Sequence, residues 1–190
     1  REILEKLGEQ IERGSNGMRL PAGLVLTGGG ALLAGTADLG REVLGLPVRV
    51  GLVWAGNPQH QDDRRRSLPP PVLAPLAGIP EVQYYSLQKP VSGGWQGSPP
   101  LDLVDWTGEL GDFAATAGLL THLDLIISVD TAVAHLAGAM GRPVWVAVPC
   151  APDCRWLEDR EDSPWYPTMR LFRQKKFGDL PADLVKEIVL

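Results

Sequence analysis

The feature that most constrains the fold of this chain is residues 126–148, in which two apolar runs flank a polar turn and a short helical segment. The runs at 123–129 and 143–148 are dominated by Val, Ile, Leu and Trp without regular polar alternation. Strands of this kind are buried on both faces, as they are in parallel sheets covered by helices. The segment therefore predicts one strand–helix–strand unit of a parallel α/β sheet.

The polar turn at Asp130 and Thr131 is the first candidate for function. It lies where the carboxyl end of a strand meets the amino end of a helix, and open α/β sheets bind ligands there because free backbone N–H groups attract anions. Thr131, His135 and Gly138 share one stripe of this helix. The opposite, apolar face is formed by Val133, Leu136, Ala137 and Met140.

A purely structural interpretation of the same turn stays open. Asp and Thr both begin helices well, because either side chain can accept a hydrogen bond from a free N–H. A lone His on a helix, such as His135, is more often a structural residue than a ligand contact. Spacing alone does not decide between the two interpretations.

Composition narrows the classes of function. The 190 residues suit one α/β domain or two small ones, and the net charge of -5 argues against nucleic-acid binding, which needs a basic surface. We expect no membrane span and see no secretory signal. Cys150 and Cys154 form neither a zinc site nor a disulfide framework, so we expect reduced thiols and a cytoplasmic location.

Strand and helix patterns alternate along most of the chain. We predict strands at 49–54, 82–86, 123–129, 143–148 and 169–172, and helices near 72–77, 112–122, 131–140 and 181–189. This alternation is typical of a doubly wound, Rossmann-like parallel sheet. A small α/β segment precedes it, with a helix at 1–13 and a short strand at 24–27.

The small N-terminal segment carries a glycine turn, Gly28, Gly29 and Gly30, between that short strand and a helix at 31–44. Glycines let a ligand approach the backbone because no Cβ intervenes, although such a turn is also ordinary architecture. Residues 1–51 resemble the C-terminal part of FtsA, the actin-like bacterial cell-division ATPase. The resemblance implies an adenosine contact for the three glycines, but phosphate loops and acidic metal ligands have no counterpart here, so we do not expect ATP hydrolysis.

The rest of the chain carries a second resemblance. It runs through GLVWAGNPQHQDDRRRSL from Gly51, YYSLQK from Tyr84, ELGDFAATAGLLTHLDLIISVDTAVAHLAGAMGRPVWV from Glu109 and RWLEDREDSPWYPTMRLFRQ from Arg155. Residues 50–190 resemble the glycosyltransferase-like domains at the C-terminus of bacterial tetratricopeptide-repeat proteins, which are related to lipopolysaccharide heptosyltransferases. This implies the donor-binding half of a GT-B glycosyltransferase. We therefore expect a chimeric chain with domains at 1–49 and 50–190.

Two charged loops supply further candidate contacts. Arginines at a strand's carboxyl end can neutralise a diphosphate, so the loop 56–67 makes Arg66 and Ser67 candidates, although most charge runs pair among themselves in solvent. Lys89, at the end of the next strand, is a candidate counter-charge beside Gln88, although a surface Lys there is also common. An aromatic, Pro-rich loop at 163–167 could stack on a base or plug the core.

The heptosyltransferase resemblance assigns roles to the opening turn. In its D-T-x-x-x-H pattern, Asp130, Thr131 and His135 contact the donor diphosphate, whose growing negative charge a helix end, a hydroxyl and an imidazole can stabilise. The chain departs from the family pattern at Ala115, Cys154 and Leu180, where an Asp and two Trp are usual, which implies weaker donor affinity.

The sequence thus predicts a nucleotide-sugar binding half that transfers the sugar with inversion in a complete parent protein. No acceptor-binding half with a catalytic base is evident, so activity of this chain alone is an open question, as is the identity of the acceptor. We expect no cofactor besides the nucleotide-sugar substrate and predict no metal ligands, although a metal requirement stays open. Tetratricopeptide repeats are expected in the parent. The alternatives are an actin-like nucleotide-binding cell-division fragment and a non-catalytic scaffold.

Overall fold

The computed structural model describes residues 47–90, Gly94 and residues 97–188, together with the isolated Lys6 and Glu9. The chain divides into two compact units, Arg1–Val48 and Arg49–Leu190. The glycine turn at Gly28, Gly29 and Gly30 lies outside the described residues. The actin-like assignment of residues 1–51, and with it the chimeric origin of the chain, therefore stays a prediction.

Six parallel strands form the sheet of the described part of the chain. They are β1 Val48–Val53, β2 Val82–Ser86, β3 Leu103–Asp105, β4 Leu125–Val129, β5 Val144–Val148 and β6 Met169–Arg173. Their order is β3-β2-β1-β4-β5-β6. The chain therefore winds outward from β1 in two opposite directions, which confirms the predicted Rossmann-like, doubly wound fold class.

Three of the helices in the described part of the chain lie between these strands in sequence, and the fourth follows β6. They are α1 Asp63–Arg66, α2 Phe113–Leu120, α3 Ala132–Ala139 and α4 Ala182–Ile188, with 3₁₀ segments at Pro70–Gly78, Thr107–Glu109 and Cys154–Trp156. No helix in the described part of the chain combines the length and the apolarity needed to cross a bilayer.

Both faces of the sheet are buried, as the unbroken apolar strands predict. Successive residues of β4 enter different core clusters, with Ile126 in one and Ile127 in the other. In β1, Gly51 pairs with Ile126, and a Cβ at Gly51 would lie 2.6 Å from Leu123 Cδ1 and 2.7 Å from Leu87 Cδ1. This glycine is needed because two leucines from neighbouring segments meet over the backbone.

Three local predictions were wrong. The edge strand β3 was missed, because its three half-exposed residues are too few to create a pattern. The helix expected near 72–77 is a 3₁₀ segment, Pro70–Gly78, whose prolines lack the N–H groups that an α-helix needs. Part of the loop 56–67 is helical, since Asp63–Arg66 form one turn of α-helix.

Candidate functional site

The largest described cavity that touches the predicted site is a cleft of about 550 Å³ at the carboxyl ends of β1 and β4. These strands are neighbours at the point where the strand order reverses, which is where open α/β sheets bind ligands. We call it the apolar cleft because its wall is formed largely by Val53, Ala55, Leu87, Leu110, Phe113, Ala132 and Val133. Polar groups stand around this apolar floor.

The loop after β1 presents Arg66 to the cleft. Ser67 is fully buried, its hydroxyl accepting a hydrogen bond from the Gly56 N–H (2.9 Å) and donating to Asp63 Oδ1 (3.0 Å). Arg66 Nε lies 3.4 Å from the same Asp63 Oδ1. A Cβ at Gly56 would lie 2.5 Å from Asp63 Oδ1 and 2.7 Å from Arg66 Nη2, so a larger residue would require these side chains to shift. The fold thus gives Ser67 the role of holding the loop, and it places the largely buried Arg66 in the wall of the cleft.

The end of β2 is tied to the same loop. Gln88 Oε1 accepts hydrogen bonds from the backbone N–H groups of Trp54 (3.1 Å) and Ala55 (2.8 Å). The next residue, Lys89, is exposed and lines the cleft. Gln88 therefore fixes the two strand ends against each other, and Lys89 adds a cation to the rim.

Two helices begin at the cleft, and they begin differently. The Asp112 carboxylate caps α2 by accepting a hydrogen bond from the Ala115 N–H at 2.8 Å. At α3 the Thr131 hydroxyl instead lies 3.0 Å from the Ser128 hydroxyl and makes no cap bond among the described residues. The N–H groups of Ala132 and Val133, which both line the cleft, have no described partner. An uncapped helix start of this kind attracts anions.

Side chains from the segments after β5 surround the imidazole of His135 in α3. Its Nδ1 lies 3.2 Å from the Tyr166 hydroxyl, and its ring stacks on Trp156 with centroids 5.2 Å apart. Its Nε2 lies 3.6 Å from Asp130 Oδ1 and 3.5 Å from Arg155 Nη1. The imidazole does not line the apolar cleft, and its contacts are with Asp130 and Arg155, neither of which lines that cleft.

Electrostatics keep Asp130 ionised. Burial raises the pKa of this carboxyl, but the nearby side-chain N–H groups of His135 and Trp156 and the charge of Arg155 lower it by more, so the net pKa lies below the ordinary value. The buried Trp156 Nε1 has no partner of good hydrogen-bond geometry in the described residues, yet its proximity still favours the charged carboxylate. Asp130 therefore faces the site as an acceptor.

A second, smaller cavity of about 190 Å³ adjoins this group. We call it the polar cavity, because its wall includes His60, Asp62, Arg65, Arg66, Asp130, Asp153 and Arg155. Arg66 lines both spaces. Asp130 faces the polar cavity and Thr131 faces the apolar cleft, so one dipeptide and one arginine stand between the two.

The structure thus brings most of the predicted residues to one edge of the sheet. Arg66, Lys89 and Thr131 line the apolar cleft, Asp130 lines the polar cavity, and His135 supports Asp130 from behind. Ser67 faces neither space. The diphosphate contacts predicted for all six residues stay predictions.

Sequence reasoning missed two residues of this region. Arg155 lies within the last of the matching stretches, where the sequence gives it no role of its own, although Asp153 two residues earlier offers it an ion-pair partner. Tyr166 was weighed only as a stacking or core residue. Its ring packs where a Cβ at Gly138 would lie, 2.6 Å from Tyr166 Cγ, and no sequence pattern reveals that contact.

The described residues contain no group of three or more His, Cys, Asp or Glu side chains placed to hold a metal ion. Cys150 and Cys154 are both free and exposed.

Sheet order, switch-point cleft and open helix start together define a Rossmann-like α/β domain, consistent with the GT-B type. Residues 107–148, from the segment before α2 to the end of β5, match the family model of glycosyltransferase family 9 (heptosyltransferase). This match supports a glycosyltransferase-like function for the domain.

A curated relative was also found. The chain is 29% identical over 150 residues to Protein FlbA of Caulobacter vibrioides, an alignment that covers 72% of this chain and 24% of FlbA. The chain therefore spans about a quarter of that relative. No solved structure matches the chain.

Proposed function

We propose that the unit Arg49–Leu190 binds a nucleoside diphosphate sugar and serves as the donor half of an inverting glycosyltransferase. The observation that carries this proposal is the uncapped start of α3, where the N–H groups of Ala132 and Val133, which have no described partner, line the same cleft as Arg66. A diphosphate carries the charge that this combination of donors binds best.

The chemistry of transfer fits these donors. When the glycosidic bond to the donor breaks, negative charge grows on the departing diphosphate, and groups that hold this charge lower the barrier. Backbone N–H groups at the start of α3 and an arginine held by Asp63 line the same cleft, so little reorganisation is needed. Lys89 at the rim adds a second mobile cation.

The two spaces divide the donor between them. The apolar cleft, with Phe113 63% exposed at its mouth, suits the flat, weakly polar face of a base. The polar cavity offers the Asp130 and Asp62 carboxylates, which accept hydrogen bonds from sugar hydroxyls. The diphosphate then lies between them, next to Arg66 and α3.

The remaining parts of the reaction belong to a larger protein in this proposal. Since the chain spans 24% of FlbA, the acceptor, the general base and the stereochemical outcome are assigned to a complete parent with further domains. Tetratricopeptide repeats remain the proposed neighbours in that parent.

A thermal-shift panel tests the proposal. We expect ADP-, GDP- or UDP-sugars to raise the melting temperature of the full chain, and His135→Ala to abolish the rise because Asp130 and Arg155 lose their support. His122→Ala, an exposed histidine just after α2, is the matched control and should respond like the wild type.

Other responses would contradict it. Stabilisation by ATP with magnesium but by no sugar nucleotide would favour the actin-like alternative. No response to any nucleotide would leave a non-catalytic scaffold.

A further inference from the structure

Arg155 occupies a position in the polar cavity that no part of the predicted site includes. It enters from the 3₁₀ segment Cys154–Trp156 after β5, on the side of Asp130 away from the apolar cleft. Arg66 lines the same cavity from the loop after β1. Arginines from two different loops thus line one small space, with Arg65 and Arg66 after β1 and Arg155 after β5.

The side chain of Arg155 is held in place. Its Nε donates to Asp153 Oδ1 at 2.9 Å and its Nη2 to Asp153 Oδ2 at 3.1 Å, a bidentate pair that fixes the plane of the guanidinium. Its backbone is fixed too, because its N–H donates to Asp153 Oδ1 (3.0 Å) and its carbonyl accepts from Trp165 Nε1 (3.1 Å).

This arrangement leaves one edge of the guanidinium for a ligand. A guanidinium has five N–H groups, and the bonds to Asp153 use the Nε and Nη2 side. The Nη1 atom lies only 3.5 Å from His135 Nε2, at the long limit for a hydrogen bond. Nη1 therefore points toward the Asp130 and His135 end of the cavity with donors to spare.

We propose that Arg155 is a further donor-contacting residue, which clamps the sugar-bearing phosphate of a nucleoside diphosphate sugar against Arg66. The inference rests on the proposed function and adds a residue to that site. Phosphate takes the two guanidinium groups, and the carboxylates of Asp62 and Asp130 in the same wall accept from hydroxyls on the attached group. A ligand with both chemistries, a glycosyl phosphate, matches the whole wall.

The chain offers a matched control for Arg155. Arg160 and Asp162 form the same kind of pair, two residues apart, with Nε to Oδ1 at 2.8 Å and Nη2 to Oδ2 at 2.7 Å. The Arg155 and Arg160 side chains are similarly exposed, at 49% and 39%. Arg160 lines neither the apolar cleft nor the polar cavity. Arg155→Gln and Arg160→Gln each remove a comparable surface ion pair, but only Arg155 faces the proposed ligand.

Isothermal titration of the full chain with ADP-glucose, GDP-mannose, UDP-glucose and inorganic pyrophosphate tests the clamp. We expect Arg155→Gln to weaken the best-binding nucleotide sugar, and pyrophosphate, by about tenfold or more, as loss of a charged hydrogen bond does. Arg155→Lys should recover only part of the affinity, because an ammonium cannot keep the bidentate bond to Asp153. Arg160→Gln should bind like the wild type.

The outcomes separate this inference from the proposed function. If Arg155→Gln binds a nucleotide sugar as tightly as the wild type does, the clamp is overturned and the proposed donor site still stands. Binding of pyrophosphate but of no nucleotide sugar, lost in Arg155→Gln, overturns the donor assignment and supports the clamp. Binding of none of the four probes overturns both. Melting curves of the two Gln variants should agree, since exposed pairs contribute little to stability.

Discussion

The two helices that begin at the apolar cleft, α2 and α3, are of equal length, and each carries a glycine in its second half. They differ at their first residues. α2 is closed by its own acid, Asp112, whereas α3 follows an acid, Asp130, that is turned away to His135. The comparison teaches that a helix start can be completed for stability or left open for a ligand, and we propose that this domain uses one of each.

A second difference lies further along the helices. Gly118 in α2 has no heavy atom within 4 Å of where its Cβ would be, while Gly138 in α3 has the Tyr166 ring there. One helix could take a larger residue freely and the other could not. The helix whose start is uncapped, α3, is thus also the helix that packs tightly against the loop carrying Tyr166.

The largest effect is expected when α3 is closed as α2 is. In Thr131→Asp the new carboxylate caps α3 and places a negative charge where we propose the diphosphate binds. Two unit charges 4 Å apart repel by about 4 kcal/mol at an effective dielectric constant of about 20, so affinity for the best nucleotide sugar should fall about 100-fold or more. Titration calorimetry measures this loss.

A charge control accompanies that variant. Thr131→Asn can cap α3 equally well but adds no charge, so its affinity should fall much less than that of Thr131→Asp. Equal losses in both variants would mean that space at residue 131 matters and that an open, positive helix start does not.

The two glycines give the next largest effect, with opposite signs. Gly138→Ala should destabilise the chain by about 1–3 kcal/mol, because its Cβ would overlap Tyr166 Cγ at 2.6 Å and the ring must move. Gly118→Ala should stabilise by about 0.5–1 kcal/mol, since alanine is the better helix former and meets nothing. Urea unfolding at neutral pH measures both, and changes of the same sign would refute the packing difference.

Removal of the α2 cap should have a smaller effect. Asp112→Ala is expected to cost about 1 kcal/mol of stability because the Ala115 N–H loses its partner, and Asp112→Asn should retain most of it. Nucleotide affinity should not fall in either variant, since the lost charge is negative and lines the cleft. A loss of affinity in Asp112→Asn would assign this carboxylate to the ligand instead of the helix.

Much of the fold could be predicted because a strand that is buried on both faces is an unbroken run of apolar residues in the sequence. The strand at 82–86 has the predicted bounds, and the predicted strands at 49–54, 123–129, 143–148 and 169–172 shift by one or two residues. The strand predicted at 24–27 lies outside the described residues. Short, half-exposed strands such as Leu103–Asp105 have no such apolar run. Their place is fixed by pairing with a neighbour, here Tyr84 with Leu103, and not by their own composition.

The site could be predicted only as far as strand ends and helix starts reveal it. Parallel strands put Lys89 and Asp130 at the same edge, so their approach to one region follows from the topology. Rotamers and loop packing do not follow. Nothing in the local sequence says that Ser67 turns inward to Asp63, or that Tyr166 crosses to His135.

The smallest expected effect is a pH dependence of stability, and it follows from Asp130, the acid that precedes α3 without capping it. The pKa of Asp130 is lowered in the folded chain, so its ionised form adds stability. That contribution is complete well above the unfolded pKa of about 3.9 and is lost as the pH falls through the folded-state value. The stability difference between the wild type and Asp130→Asn, measured by urea unfolding, should therefore shrink from pH 6 to pH 3.

Asp130→Asn combined with His135→Ala should show a weaker pH dependence than His135→Ala alone, because Trp156 and Arg155 still favour the carboxylate. A wild-type advantage that stays constant over this range would mean that Asp130 is held by shape and not by charge, and the charge of Asp130 would then play no part in the difference between α2 and α3.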